Sequence, residues 1–134
     1  MSLSKTMLFI ILGILFWFTG AMLVSIIGEK ALTDGNAYLP IVFFALIPIT
    51  LVFLVISKHI AQLQYSEMLK PTVVMTITAT FFDAIAFTWF RGIYHESFEI
   101  AMHGAALILW GAGMGLLMAY VLELRNGFFF TKKK

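Results

Sequence analysis

The sequence predicts an all-α fold, a membrane-spanning four-helix bundle with its N-terminus and C-terminus cytoplasmic. Three observations predict it. Hydrophobic residues make up 61% of the 134 and charged residues only 12%, whereas a soluble domain carries roughly a quarter charged residues. There is too little polar surface to cover a water-soluble globule, so lipid must be the solvent for much of the outside. The apolar residues gather in four runs, each near the ~20 residues that a helix needs to cross a hydrocarbon core of ~30 Å. Lysine and arginine are unequally shared between the connections: with the N-terminus inside, seven lie on the inner side and two on the outer, and an excess of these residues marks the cytoplasmic face.

Helices are the reading because backbone polar groups in lipid must be satisfied within the segment. A barrel of this length would show short alternating segments instead of continuous runs. The expected organisation is a single transmembrane domain over residues 1–134 with spans at 7–27, 37–57, 72–90 and 100–122. Span one, Met7 to Ile27, carries no charge; it is longer than a signal-peptide core and no A-x-A site follows it, so a retained anchor is expected. Span two, Ala37 to Ser57, is also uncharged and holds Pro48, which removes one backbone bond and is expected to kink the helix near Phe44. Span three, Thr72 to Phe90, contains Asp83. Span four, Ile100 to Leu122, contains His103 as its titratable group.

The connections are short. Asp34-Gly35-Asn36 reads as a turn. The segment His59–Leu69 reads as helical continuation or an interfacial helix, and Pro71 opens span three where its missing N–H costs nothing. Tyr38, Trp89, Tyr94 and Tyr120 read as interfacial anchors. The tail ends in Lys132–Lys134 after three phenylalanines, Phe128 to Phe130. The inner basic residues are Lys5, Lys58, Lys70, Arg125 and that cluster; the outer ones are Lys30 and Arg91.

Asp83 is the most informative residue. A carboxyl group inside a membrane span is costly and marks a candidate functional site. Thr72, Thr76, Thr80 and Asp83 follow at spacings of four, four and three, which places a polar stripe on one helical face expected to look into the bundle. Glu99 and His103 are four apart at the outer start of span four and share a face, with Trp110 seven residues further on. Because span three runs outward and span four runs back, Asp83, Glu99, His103 and Arg91 are placed as one cluster toward the outer leaflet. The plainer readings are a packing acid at Asp83, bonded to a threonine hydroxyl or a tryptophan N–H, and a capping acid at Glu99.

Gly104, Gly111 and Gly115 in span four, and Gly13 and Gly20 flanking Trp17 in span one, are the candidate packing glycines. Gly111 and Gly115 form a single GxxxG step, which lets another backbone approach closely. Packing of spans one and four within the chain is favoured over a homodimer.

Much chemistry is excluded. There is no cysteine, hence no disulfide, iron–sulfur cluster, thiolate zinc site or CxxC redox pair. No Gly-x-Ser-x-Gly, HExxH or Walker motif is present, and the loops are too short for a catalytic domain. Of the histidines only His103 lies clearly within a span, so no metal, haem or other cofactor is expected. The net charge of +2 reflects topology and not nucleic-acid binding.

The segment Phe81-Phe82-Asp83-Ala84-Ile85-Ala86-Phe87, followed by Ala105-Ala106-Leu107-Ile108-Leu109-Trp110-Gly111 and Gly113, resembles a family of small, uncharacterised bacterial four-span membrane proteins. That family has an Asp-Ala pair in its third span and a Leu-Trp segment in its fourth. Ile26-Ile27-Gly28 partly matches the end of its first span, and a proline expected in the third loop is missing here. The resemblance implies fold and membrane location only, the bacterial inner membrane, because that family carries no established activity.

Two function classes follow. The first is a transporter-like or small-ligand-binding bundle that uses Asp83, with His103, Glu99, Thr80, Trp110 and Arg91 around it. The second is an accessory or assembly protein that packs against another membrane protein or itself through the glycines of span four. A membrane enzyme ranks third. The lipid bilayer is the partner common to all. A cavity reaching Asp83 separates the first class from the second, which requires a closed core and an exposed glycine face.

Overall fold

A computed structural model describes the backbone of residues 1–131 and the side chains to residue 126. The basic cluster Lys132–Lys134 and the side chains of Phe128–Phe130 lie outside the described residues. Among the described residues there are four α-helices: α1 (Leu3–Ala31), α2 (Tyr38–Ala61), α3 (Leu69–Trp89) and α4 (Phe98–Thr131). Each contains a stretch long and apolar enough to cross a membrane, which makes this a multi-pass membrane protein. Among the described residues there is no strand.

The helices extend beyond the apolar runs because their polar flanks continue the turn. α1 begins at Leu3, where the Ser2 side chain accepts the Lys5 N–H at 3.3 Å, and at 29 residues it is about 43 Å long at ~1.5 Å per residue. The turn after it is closed at Gly35, whose φ of 71° favours a residue without a side chain. Asn36 braces that turn by donating to Lys30 O and Thr33 Oγ1 and by accepting from Tyr38 N. α2 stops where Gln62 adopts a left-handed conformation, φ 52°, and Leu63 N bonds back to Lys58 O, a common C-terminal closure. The expected continuation over His59–Leu69 is therefore broken: a single 3₁₀ turn, Tyr65–Glu67, separates α2 from α3. It is held by a capping box in which Glu67 accepts the Gln64 N–H at 2.8 Å.

The chain is not laid out as consecutive neighbours. α1 packs most extensively on α3 and α2 on α4, with α3 on α4 and α1 on α2 completing the ring, and α1 and α4 meeting across its short diagonal. Two core clusters fill the bundle. One lies toward the end that holds the N-terminus and the α2–α3 connection and includes Phe9, Leu12, Leu54, Met68 and Met75. The other lies toward the far end, called distal below, and includes Val24, Leu32, Tyr94, Ile100 and Leu107. Large side chains such as Phe44, Phe81 and Leu109 face outward, as expected of a lipid-facing surface.

The glycines set how closely these helices approach. A Cβ on Gly13 would stand 2.8 Å from Met75 O of α3. One on Gly104 would stand 2.5 Å from Val24 Cγ1 of α1, and one on Gly111 2.8 Å from Leu46 Cδ2 of α2. Gly115 faces Thr50 at 3.4 Å and Gly20 faces Ile108 at 3.8 Å. Each of the five packing candidates therefore meets another helix of its own chain.

Candidate functional site

Asp83 is buried on α3, 8% exposed. Its partner is not a threonine. Tyr94 OH, from the connection between α3 and α4, donates to Asp83 Oδ1 at 2.5 Å. Trp17 Nε1 of α1 in turn donates to Tyr94 OH at 2.9 Å. Three elements thus meet in one relay, Trp17–Tyr94–Asp83. Tyr94 is fully buried, and its ring stacks on Phe87 with centroids 3.7 Å apart and planes 9° from parallel. The reading of Tyr94 as an interfacial anchor is corrected here: the chain turns back at a 3₁₀ turn, Arg91–Ile93, and inserts the ring into the distal core.

The threonine stripe diverges from the acid. Each four-residue step overshoots a helical turn by about 40°, so Thr80 stands about 80° round from Thr72, while Asp83 stands about 20° from it. Thr72 and Asp83 are accordingly buried, Thr76 partly so, and Thr80 exposed. The hydroxyls of Thr72, Thr76 and Thr80 each bond back to the carbonyl four residues before, which satisfies them without the acid.

The cluster placed together by sequence separates into two. His103 Nε2 lies 2.7 Å from Asp34 Oδ1, and Glu99 Oε1 accepts the Asp34 N–H at 2.6 Å. The α1–α2 turn is thereby pinned to the start of α4 at the distal rim. A second clasp joins His95 to Glu29 at 3.5 Å. The donor atoms of Asp34, Glu99 and His103 lie within 4.8 Å of one another, so among the described residues these side chains could hold a divalent cation; the hydrogen bonds that Glu99 and His103 make to Asp34 account for the convergence. Arg91 turns to its own connection, toward Glu96 O at 3.4 Å and over the Phe98 ring at 5.4 Å. Trp110 Nε1 donates to Phe43 O of α2 at 2.9 Å, one residue before the carbonyl that Pro48 leaves without its usual partner. Neither Arg91 nor Trp110 reaches Asp83.

Asp83 does reach open space. A cavity of about 80 Å³ lies between α1, α2 and α4 and ends on the acid of α3. Trp17, Leu46, Thr50, Phe53 and Leu107 are among its walls, and Gly20 and Gly111 widen it where a side chain would fill it. The chamber is apolar apart from Asp83 and the hydroxyls of Thr19 and Thr50. Sequence reasoning did not connect Tyr94 to this site, because nothing in a connecting segment signals that its tyrosine folds inward. Trp17 stands between Gly13 and Gly20, which is the signal that the sequence of α1 offers.

No curated protein and no solved structure matches the chain. One family model does, over residues 32–126, a stretch that takes in Asp34, Asp83, Tyr94, Glu99 and His103 and leaves Trp17 outside. With well over half its length matched, the chain belongs to that family of unknown function, DUF5367.

Proposed function

We propose that this protein is a transporter-like, small-ligand-binding bundle whose ligand sits in the cavity beside Asp83. The observation that carries the reading is that the cavity ends on a buried acid. By the same measure of volume a water molecule needs ~10–15 Å³, so a chamber of about 80 Å³ has room for a few heavy atoms. Apolar walls with one acid suit a compact molecule with an aliphatic body and a cationic amine. The Tyr94 hydrogen bond engages Oδ1, which leaves the carboxyl its second oxygen for such a ligand. Asp83 is the binding group here. Glu99 and His103 guard the distal side, while Thr80, Trp110 and Arg91 are absent from the cavity wall.

The same reading places the protein in a cell membrane, the bacterial inner membrane, with both termini in the cytoplasm. Seven inner against two outer basic residues support that orientation. As a single transmembrane domain, it exposes the distal end to the outside. The accessory-protein alternative loses support because Gly104, Gly111 and Gly115 meet Val24, Leu46 and Thr50 of the same chain.

Isopropylamine and isopropanol, followed by saturation-transfer NMR against the detergent-solubilised protein, test the reading. The amine is expected to bind saturably and the alcohol more weakly. Asp83→Asn should weaken the amine by about tenfold, the factor that ~1.4 kcal/mol represents, and leave the alcohol unchanged. Equal binding of the amine to parent and variant would remove Asp83 from the site, and no saturable binding of either probe would remove the site itself.

A further inference from the structure

A second space, larger than the first, opens at the opposite end of the bundle. This groove of about 430 Å³ is formed where the start of α1, the 3₁₀ turn, the first turn of α3 and the late part of α4 converge. Two lysines and two glutamates line it: Lys5, Lys70, Glu67 and Glu123. Leu63 and Leu69 supply an apolar wall.

Two facts decide what such a groove suits. The first is depth. Lys5 lies two residues before the apolar run of span one, Lys70 two before that of span three, and Glu123 directly after that of span four. All three mark the boundary between hydrocarbon and headgroup. The second is that these charges are not matched with each other. Among the described residues none of the four takes part in an ion pair. Lys58, at the same end, is instead engaged by the Tyr65 ring at 4.3 Å. Glu67 gives one carboxylate oxygen to the Gln64 N–H and retains the other.

We infer that the groove binds the headgroup of a phospholipid carrying both a phosphate and a primary amine, with Lys5 and Lys70 on the phosphate and Glu67 and Glu123 on the ammonium. A lipid with a choline headgroup presents the same phosphate, but its methylated nitrogen has no N–H to donate to a carboxylate. A lipid with a glycerol headgroup has no cation for the two glutamates. Leu63 and Leu69 meet the start of the lipid chains, which a free headgroup lacks.

Native mass spectrometry of the full chain, incubated with phosphatidylethanolamine, phosphatidylcholine and phosphatidylglycerol in equal amounts, reads the selection directly. Phosphatidylethanolamine is expected to be retained about fivefold over each of the others, in line with one exposed ion pair. The paired variant Glu67→Gln and Glu123→Gln should bring its ratio to phosphatidylcholine to about one. The fold at the 3₁₀ turn should survive that change, because a side-chain amide keeps a carbonyl oxygen that can accept the Gln64 N–H. The pair Lys5→Gln and Lys70→Gln should reduce retention of all three. Equal retention of the three lipids by the parent protein, which needs no variant, overturns the proposal. So does displacement of the lipid by an equal concentration of glycerophosphoethanolamine or inorganic phosphate, which would make the site one for a soluble phosphate.

Discussion

The two polar stations of the distal half are built from similar parts and set in different surroundings. The inner one joins Asp83 to Tyr94 and Trp17 inside the bundle. The rim station joins Asp34 to His103 and Glu99 where the Asp34 side chain is 76% exposed. Both tie a connection to a helix. At the inner station the donors have no water to fall back on, so each lost partner leaves a buried polar group unmatched. At the rim, water replaces any partner removed, and exposed pairs contribute little. Burial, more than residue type, should decide what each substitution costs.

The largest effect is expected from Tyr94→Phe. It keeps the stack on Phe87 and removes the hydroxyl that serves both Trp17 and Asp83. A loss of about 1–3 kcal/mol is expected in SDS-driven unfolding from mixed micelles. The effect carries a pH signature. Burial, then the hydrogen bond to Asp83, pushes the Tyr94 phenol well above the ordinary tyrosine range. A raised phenol contributes stability that is whole below the unfolded value of about 10 and declines as pH rises through the folded one. The parent's advantage over Tyr94→Phe should therefore be constant from about pH 7 to 9 and shrink above about pH 10. An advantage that does not change with alkaline pH would mean that the hydroxyl is not held as described.

Gly104→Ala comes next and sharpens the boundary between the stations, because Gly104 follows His103 directly on α4. The new methyl would meet three atoms of Val24, the nearest at 2.5 Å, and a β-branched side chain on a helix has little rotameric freedom to move away. A cost of about 1–2 kcal/mol is expected in the same unfolding assay. At Gly113, where a Cβ would meet open space, the same change should be neutral or mildly stabilising. Equal effects at the two positions would show that α1 and α4 do not pack as closely as described.

How much of this was legible in the sequence differs between the stations for physical reasons. The four spans were readable because hydropathy averages over a whole crossing and tolerates local error. Asp83 was readable because one charge in an apolar run stands out. Its partners were not. Tyr94 is eleven residues away around a tight turn and Trp17 is on another helix, 77 residues from Tyr94. The Glu99–His103 face was readable from helical spacing, but their common partner Asp34 lies in a turn 65 and 69 residues away. Thr80 was misplaced by a rule of thumb: steps of four follow a face for one turn and then leave it. Sequence periodicity ranks positions on a helix, and contacts between elements are set by how the helices approach.

The smallest effect is expected from His103→Gln at the rim. Glutamine retains an N–H that can reach Asp34 Oδ1, now 2.7 Å from His103 Nε2, and gives up only the charge that a protonated imidazole would add. The cost should be below about 1 kcal/mol. Because the Asp34 side of the pair is exposed to solvent, salt should reduce even that, as the screening length falls to about 3 Å at 1 M. The decisive measurement is the pair of unfolding curves, parent and variant, at low and high salt. A cost equal to that of Tyr94→Phe and indifferent to salt would mean that the rim is as well shielded from water as the inner station, and the distinction between a buried station and a solvated one would fail.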